Sequence, residues 1–378
     1  MPLGWSNESS RTFVVAEIGQ NHQGSLSTAK QMIKAAKECG ADCVKFQRSN
    51  LAEKFTVSAL ARPYTGSNSW GRTYGEHKQW LEFSSDEYRE LQRFATDHDI
   101  VFTASAMDAA SFRELEEQLQ VPFIKIGSGD ADNVPLLRYA ANRSIPLIIS
   151  TGMLDWDQVC SIYTQFRHRK DVALLHCVSS YPTLPGDIML RMIPLLRAHF
   201  PELTIGYSGH ELGIQHSVAS VALGAKIVER HFTLDKAWKG TDHQASLNPA
   251  EFGRMVRCIR AIERDVPIDA SALIGRLREV LQGEDLDEPE LLVALKEIDP
   301  HHRQLLECER PCFNKLGKSL VYASDLNCGT VLTESYVQVK VSEPKGLTPR
   351  LYDSVVGRTV KCAVSKDDPI LMQHFKHI

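Results

Sequence analysis

The sequence has no apolar run approaching the ~20 residues that a membrane span needs. It also has no excess of positive charge: 43 lysines and arginines stand against 47 aspartates and glutamates, for a formal net charge of -4. Its first residues show neither the basic segment nor the apolar core of a signal peptide. These absences argue against a membrane or nucleic-acid partner and predict a cytoplasmic protein.

Cysteine spacing of the kind that marks a zinc site or a disulfide framework is missing as well. The nine cysteines are an odd number and are scattered. Cys39 and Cys43 are close in sequence, but the first falls at a predicted helix end and the second in the next strand. We therefore expect reduced thiols, which are typical of the cytosol.

What the sequence does contain is an alternation of strands and helices, repeated eight times between Thr12 and about Asp265. Each strand candidate is short, rich in β-branched residues and almost continuously apolar, as expected for strands buried on both faces. The candidates are TFVVAEI, DCVKFQ, IVFTAS, PFIKIG, PLIIS, VALLHC, LTIGY followed by a glycine turn, and AKIVERHF. The pattern predicts an α/β fold, a TIM (β/α)8 barrel in residues 1–265.

Two further regions follow from the rest of the pattern. Residues 266–313 are predicted to be a linker with an acidic stretch at 283–290, and residues 314–378 a small β-rich domain docked on the barrel. Inside the barrel, the connection from Gln47 to Ser84 is unusually long. Because it follows the C-terminal end of a strand, we expect it to overhang the catalytic face as a lid or a substrate-binding loop; we call it the lid connection.

A TIM barrel carries its chemistry where its strands end, and here nearly every strand ends in a polar or ionisable residue. His210 and His231 end the last two strands, so they either share a divalent metal ion or serve only as helix caps and water ligands. Lys45 and Lys125 interrupt apolar runs, so they either bind an anion, which we favour, or form salt bridges with Glu17 and Glu229. The turns GSGD and STGM, at 127–130 and 150–153, can point backbone N–H groups and hydroxyls at phosphate oxygens. Together these features predict carbon–carbon chemistry on a phosphorylated three-carbon unit.

Several blocks occur together in a way that is far more specific than any one motif: AEIGQNHQGSL, VKFQ, KIGSGD, STGM, LHCVSSYPT, GYSGHELG, GAKIVERHFTLD and KGTDHQASLNPAEF. With them the chain resembles the sialic acid synthase family. The lid stretch ARPYTGSNSWGRTYGEH resembles the animal branch, which uses N-acetylmannosamine 6-phosphate. The C-terminal region from KLGKSLVYASDLNCGTVLT resembles the antifreeze-like (SAF) domain of that family.

The resemblance implies condensation of phosphoenolpyruvate with an open-chain amino sugar, and it implies roles for particular residues. His210 and His231 match a pair that binds Mn²⁺, or Mg²⁺ less well, and Glu17 and Asp130 match carboxylates used in proton transfer. The positions implied to hold phosphoenolpyruvate are Lys45, Lys125, Ser128, Ser150 and Ser179. The positions implied to hold the sugar are Gln47, Tyr181 and Asp242, with Lys318 standing where bacterial members have an arginine.

The resemblance leaves the acceptor open. We favour N-acetylmannosamine 6-phosphate as the acceptor, and the alternatives are unphosphorylated N-acetylmannosamine and mannose 6-phosphate. A further alternative is that the chain is a non-catalytic homologue that binds carbohydrate or ice. Four cations either bind the sugar phosphate or are ordinary surface charges: Arg62, Arg72, Lys78 and Lys239. We also expect a homodimer in which each SAF domain closes its partner's site.

Overall fold

Eight parallel strands close into a barrel, as predicted from the alternation. The structure is a computed structural model that describes residues 4–264, 270–281 and 285–375. Every strand pairs in parallel with its sequence neighbours, and β1 closes the ring by pairing with β8. The strands are β1 Phe13–Gly19, β2 Cys43–Arg48, β3 Val101–Ala106, β4 Ile124–Ile126, β5 Leu147–Ser150, β6 Val172–Cys177, β7 Thr204–Gly209 and β8 Ile227–His231.

Helices surround the barrel, and several begin at a residue whose side chain caps the first turn. Ser25 caps the first long helix, and Ser84 forms a capping box with Glu87. The helices up to the end of the barrel are α1 Leu26–Glu38, α2 Leu51–Lys54, α3 Val57–Ala61, α4 Tyr74–Leu81, α5 Ser85–Asp97, α6 Ala109–Arg113, α7 Val134–Ala141, α8 Trp156–Phe166, α9 Pro185–Ile188, α10 Met192–His199, α11 Gln215–Ala222 and α12 Pro249–Ile262. In the described residues no helix is long and apolar enough to cross a membrane.

The alternation along each strand separates two cores. In β8, Val228 packs outward with the helices, whereas Ile227 packs inside the barrel. The inner core is closed from below by Trp5, whose ring lies 5.2 Å from that of Phe13 and 4.7 Å from that of Phe123. Inward positions nearer the carboxyl ends carry polar or ionisable side chains, because that end opens into a cavity.

One prediction at β7 is wrong. The glycine turn expected directly after Tyr207 does not exist, because the strand continues to Gly209. Gly206 is also inside the strand, where a Cβ would come within 2.6 Å of the carbonyl oxygen of Ile227. The glycine is therefore needed for the close approach of β7 and β8.

The segment predicted as a linker contains helices that pack on the barrel. These are α13 Ala270–Val280, α14 Glu288–Ala294 and α15 Arg310–Leu316. Leu277 and Leu291 belong to the same apolar core as the barrel helices. Residues 265–269 and 282–284, which include the predicted start of the linker and part of its acidic stretch, lie outside the described residues. In the described part of that stretch, Asp285 pairs with Arg254 at 3.0 Å and Glu288 pairs with Arg278 at 2.7 Å.

The C-terminal module has its own small core and docks on the barrel. It contains the antiparallel pair β9 Ser319–Tyr322 and β10 Val337–Lys340, the short helix α16 Tyr352–Val355, and several isolated bridges. Arg138 of α7 donates two bonds to Asp353, and Val341 forms a bridge with Phe55 at the end of α2. The module therefore touches both the barrel and the lid connection.

Candidate active site

A cavity of about 510 Å³ lies at the carboxyl ends of the barrel strands. Its floor is made by inward-facing strand residues, and its rim by the lid connection and by α15 and the start of the C-terminal module. All thirteen residues predicted for the site line this cavity: Glu17, Lys45, Gln47, Lys125, Ser128, Asp130, Ser150, Ser179, Tyr181, His210, His231, Asp242 and Lys318. The structure thus brings the predicted residues together, without assigning their roles.

The floor holds a network of four buried charges. Lys45 forms an ion pair with Glu17 and lies 3.7 Å from Glu229, which also pairs with Lys125 at 3.1 Å. The salt bridges considered as the alternative to anion binding are therefore present in the ligand-free chain. Both lysines nevertheless line the cavity, so each can contact a bound anion while it keeps its carboxylate partner.

Burial and charge act against each other in this network. Burial disfavours ionisation of Glu229, but Lys125 and Lys45 outweigh it and lower its pKa to about 2. Burial, with help from the charge of Glu229, raises the pKa of Glu17 despite the adjacent Lys45. The two carboxylates therefore differ: Glu229 stays ionised, and Glu17 accepts a proton more easily.

The two histidines lie side by side on the same floor. Their ring centroids are 5.5 Å apart, and the ring of Tyr181 lies 4.1 Å from that of His210. The Nδ1 atom of His210 is 2.9 Å from the carbonyl oxygen of Val178, whereas the buried Nδ1 atom of His231 has no partner in the described structure. Burial lowers the pKa of His231 to about 3, so this imidazole is neutral and can serve as a ligand.

Asp130 and Lys318 form an ion pair across the boundary between the barrel and the C-terminal module. Both side chains are buried, and Lys318 also donates to the carbonyl oxygen of Met107 at 2.7 Å. Asp130 accepts a further bond from Asn133 at 3.0 Å. A lysine of the C-terminal module thus reaches the cavity of its own chain.

The predicted serines surround a glycine at the start of the turn after β5. The N–H of Gly152 donates to the Ser128 hydroxyl at 3.1 Å, and the backbone N–H of Ser179 donates to Glu309 at 3.0 Å. A Cβ on Gly152 would lie 2.3 Å from the hydroxyl of Ser179. In the described structure the buried Ser150 hydroxyl has no partner, so it is available to a ligand.

Among the lining residues outside the predicted set are three lysines and a histidine: Lys54, Lys78, Lys315 and His77. They lie on α2, α4 and α15, not at strand ends, and only Lys78 had been considered. The positive charge of Lys78 within the lid connection was the one feature of the sequence that pointed to these residues. The other cations considered with Lys78, namely Arg62, Arg72 and Lys239, do not line the cavity. Arg62 lies over the ring of Tyr74, and Lys239 lies over the ring of Trp70.

Comparison with known proteins identifies the family. The NeuB family model matches residues 32–267, and the SAF domain model matches residues 317–376. N-acetylneuraminate-9-phosphate synthase of Drosophila melanogaster is 49% identical over 95% of this chain and 94% of its own length, and that of Homo sapiens is 47% identical over 98% and 94%. The crystal structure of the Bacillus subtilis spore coat polysaccharide biosynthesis protein SpsE covers 99% of this chain and 97% of its own, with a TM-score of 0.74 and 26% identity. The chain is therefore an enzyme and belongs to the NeuB family, the family of sialic acid synthases.

Proposed function

We propose that this enzyme condenses phosphoenolpyruvate with N-acetylmannosamine 6-phosphate, forming N-acetylneuraminate 9-phosphate and inorganic phosphate. The observation that carries the proposal is the charge of one cavity, in which six lysines face four carboxylates. Such a site suits two anionic substrates. The fly and human relatives, which match nearly the whole chain, are named for this product.

The proposed reaction forms one carbon–carbon bond and breaks one carbon–oxygen bond. C3 of phosphoenolpyruvate attacks the aldehyde carbon of the open-chain sugar, and water adds at C2. The resulting tetrahedral intermediate loses phosphate and becomes the keto acid. Lys45 and Lys125, with the hydroxyls of Ser128, Ser150 and Ser179, would hold phosphoenolpyruvate and stabilise the departing phosphate.

Carboxylates would manage the protons of this reaction. Glu17, whose pKa is raised by burial, suits exchange of a proton with the attacking water. Asp130 is held by Lys318 and Asn133, so it is fixed in position at the rim. Gln47, Tyr181 and Asp242 would contact the sugar: all three line the cavity, and the ring of Tyr181 lies 4.1 Å from that of His210.

His210 and His231 would hold a divalent metal ion, Mn²⁺ or Mg²⁺. The fit rests on two adjacent imidazoles, one with an orphaned buried nitrogen. Residues 4–264, 270–281 and 285–375 offer no group of three His, Cys, Asp or Glu side chains, so substrate and water would complete the coordination. When bound, such an ion supplies a Lewis acid for the aldehyde oxygen.

Calorimetric titration with Mn²⁺ tests the proposed metal site: binding should be lost in His231→Ala and kept in His302→Ala, whose side chain is 83% exposed. Equal binding by both variants would refute the assignment.

Phosphate release from phosphoenolpyruvate, measured with each acceptor and Mn²⁺ and combined with product mass, tests the function. We expect turnover with N-acetylmannosamine 6-phosphate. Turnover with only free N-acetylmannosamine, or preferentially with mannose 6-phosphate, would replace the proposed acceptor. The non-catalytic alternative is not retained, because relatives that match the whole chain are synthases.

A homodimer with exchanged SAF domains is also part of the proposal. In the described chain, the SAF domain places Lys318 in the cavity of its own barrel. An exchanged dimer would make the same contact between two chains.

A further inference from the structure

Two groups of lysines line the cavity at different levels. Lys45 and Lys125 lie on β2 and β4 in the floor, where Glu17 and Glu229 pair with them. Lys54, Lys78 and Lys315 lie above, on α2, α4 and α15. The two groups are therefore carried by different elements, the first by barrel strands and the second by helices at the rim.

None of the three upper lysines has a carboxylate within ion-pair distance in the described part of the chain. The charge of the nearby Glu82 only partly offsets the effect of burial, which lowers the pKa of Lys54 and Lys78. Lys54 is only 3% exposed, and in the described structure its ammonium group forms one hydrogen bond, a long one of 3.4 Å to the Ser49 hydroxyl. Lys78 is 8% exposed and donates to the amide oxygen of Gln20 at 2.6 Å. A buried ammonium without a counter-ion is costly, so such residues mark a place where an anion binds.

The upper lysines line one cavity, and α2, which carries Lys54, packs against α4, which carries Lys78. Burial, followed by the charges of Lys78 and Lys318, lowers the pKa of Lys54 to about 7. Burial, followed by the charge of Lys315, lowers the pKa of Lys78 to about 8. A bound anion would relieve this repulsion and restore the protonated forms.

His77 adds a neutral donor. Its Nδ1 atom accepts a bond from the backbone N–H of Trp70 at 3.3 Å. Burial and the neighbouring lysines lower its pKa to about 4, so the ring is neutral. In a neutral imidazole that accepts at Nδ1, the proton is on Nε2, which can donate to an oxygen in the cavity.

We propose that Lys54, Lys78 and Lys315, together with His77, bind the phosphate group of the sugar substrate; these four residues are the upper anion site. Asp242 lines the same cavity as His231, Lys78 and Lys315, and it is one of the positions proposed to hold the sugar. The sugar would then extend from the histidines, where the aldehyde would react, to the upper anion site. The inference rests on the proposed function and names the part of the enzyme that selects a phosphorylated acceptor.

The test uses the full-length enzyme and the variants Lys54→Met and Lys78→Met, with Lys34→Met as control because that side chain is 62% exposed. We expect the KM for N-acetylmannosamine 6-phosphate to rise about 10- to 100-fold in the cavity variants, as for loss of a charged hydrogen bond. The KM for phosphoenolpyruvate should change less than about twofold, and Lys78→Arg should recover part of the loss. Melting temperatures at or above that of the wild type should show that the variants fold.

A rise in the KM for phosphoenolpyruvate instead, or no change in either KM, would overturn the inference. Calorimetric binding of N-acetylmannosamine 6-phosphate separates it from the proposed function. If the wild type binds this sugar and Lys78→Met does not, the upper anion site stands even without turnover, and only the function fails. If the wild type turns over free N-acetylmannosamine and does not bind the phosphorylated sugar, the upper anion site fails.

Discussion

At the scale of single residues, the carboxylate of Glu229 compensates the positive charge of two lysines in the barrel floor. Its carboxylate is shared by Lys45 and Lys125, and all three side chains are buried. Lys125 has no other ion-pair partner in the described residues. Lys125 therefore depends on the ionised Glu229 for its counter-ion, whereas Lys45 also pairs with Glu17.

Glu229→Gln should destabilise the fold by about 3 kcal/mol, because it removes one side of a buried ion pair and keeps nearly the same volume. Urea unfolding at neutral pH measures this. Glu38→Gln is the matched control: its side chain is 65% exposed, and its pairing with Lys34 is worth less than about 0.5 kcal/mol. Equal stability of the two variants would contradict the role given to Glu229.

The upper anion site predicts how affinity for the sugar varies with pH. The pKa values of Lys54 and Lys78 are about 7 and about 8, and a phosphate ester is already doubly charged above pH ~6. The KM for the phosphorylated sugar should therefore rise between pH 7 and 9 as these lysines lose their protons. Lys54→Met should show a higher KM with a weaker dependence on pH. A KM that does not vary over this range in the wild type would argue against the site.

The same two lysines make folding stability depend on pH in the opposite direction: a rise in pH weakens binding of the sugar phosphate but favours the folded chain. Their pKa values are lower in the folded chain than the ordinary 10.5, so the unfolded chain binds more protons between pH 7 and 10.5. Their contribution to the stability of the ligand-free enzyme therefore becomes more favourable as pH rises through this window. Binding of an anion reduces the effect, because it favours the charged form.

At the scale of elements, the contact between β7 and β8 depends on Gly206. A Cβ there would meet Leu175 at 2.5 Å and the backbone oxygen of Ile227 at 2.6 Å, and a backbone atom cannot move aside. Gly206→Ala should therefore cost at least about 2 kcal/mol in unfolding free energy. Gly275→Ala is the control, because nothing lies within 4 Å of its Cβ position and alanine favours the helix by about 0.5–1 kcal/mol. Relative to the wild type, the melting temperature should therefore fall in Gly206→Ala and rise in Gly275→Ala.

Elements also explain which parts could be predicted from the sequence. Strands buried on both faces leave a clear apolar signal, and their ionisable ends locate the floor of the site: Glu17, Lys45 and His231 were found in this way. Lys54 and Lys315 lie on short helices far apart in sequence, and nothing local shows that they face one cavity. The resemblance to the sialic acid synthase family supplied Lys318, which no strand rule reaches.

At the scale of the whole molecule, exchange of SAF domains can be tested by complementation. His231→Ala alters the barrel and Lys318→Met alters the SAF domain, so each variant alone should lose activity. If domains are exchanged, a mixed dimer contains one site built from an intact barrel and an intact SAF domain. The mixture, unfolded and refolded together, should then be more active than either parent. If each SAF domain closes its own barrel, every site in the mixture carries one defect, and activity stays at the level of the parents.

The ion pair between Asp130 and Lys318 has a consequence for how the enzyme is made. The barrel strands end at His231, and the N-terminal part of a nascent chain folds first during synthesis. The strand residues of the floor can therefore assemble while Lys315 and Lys318 are still inside the ribosome. The cavity can receive its last two cations only when translation is nearly complete, so a chain that stops before Lys315 would have an incomplete cavity.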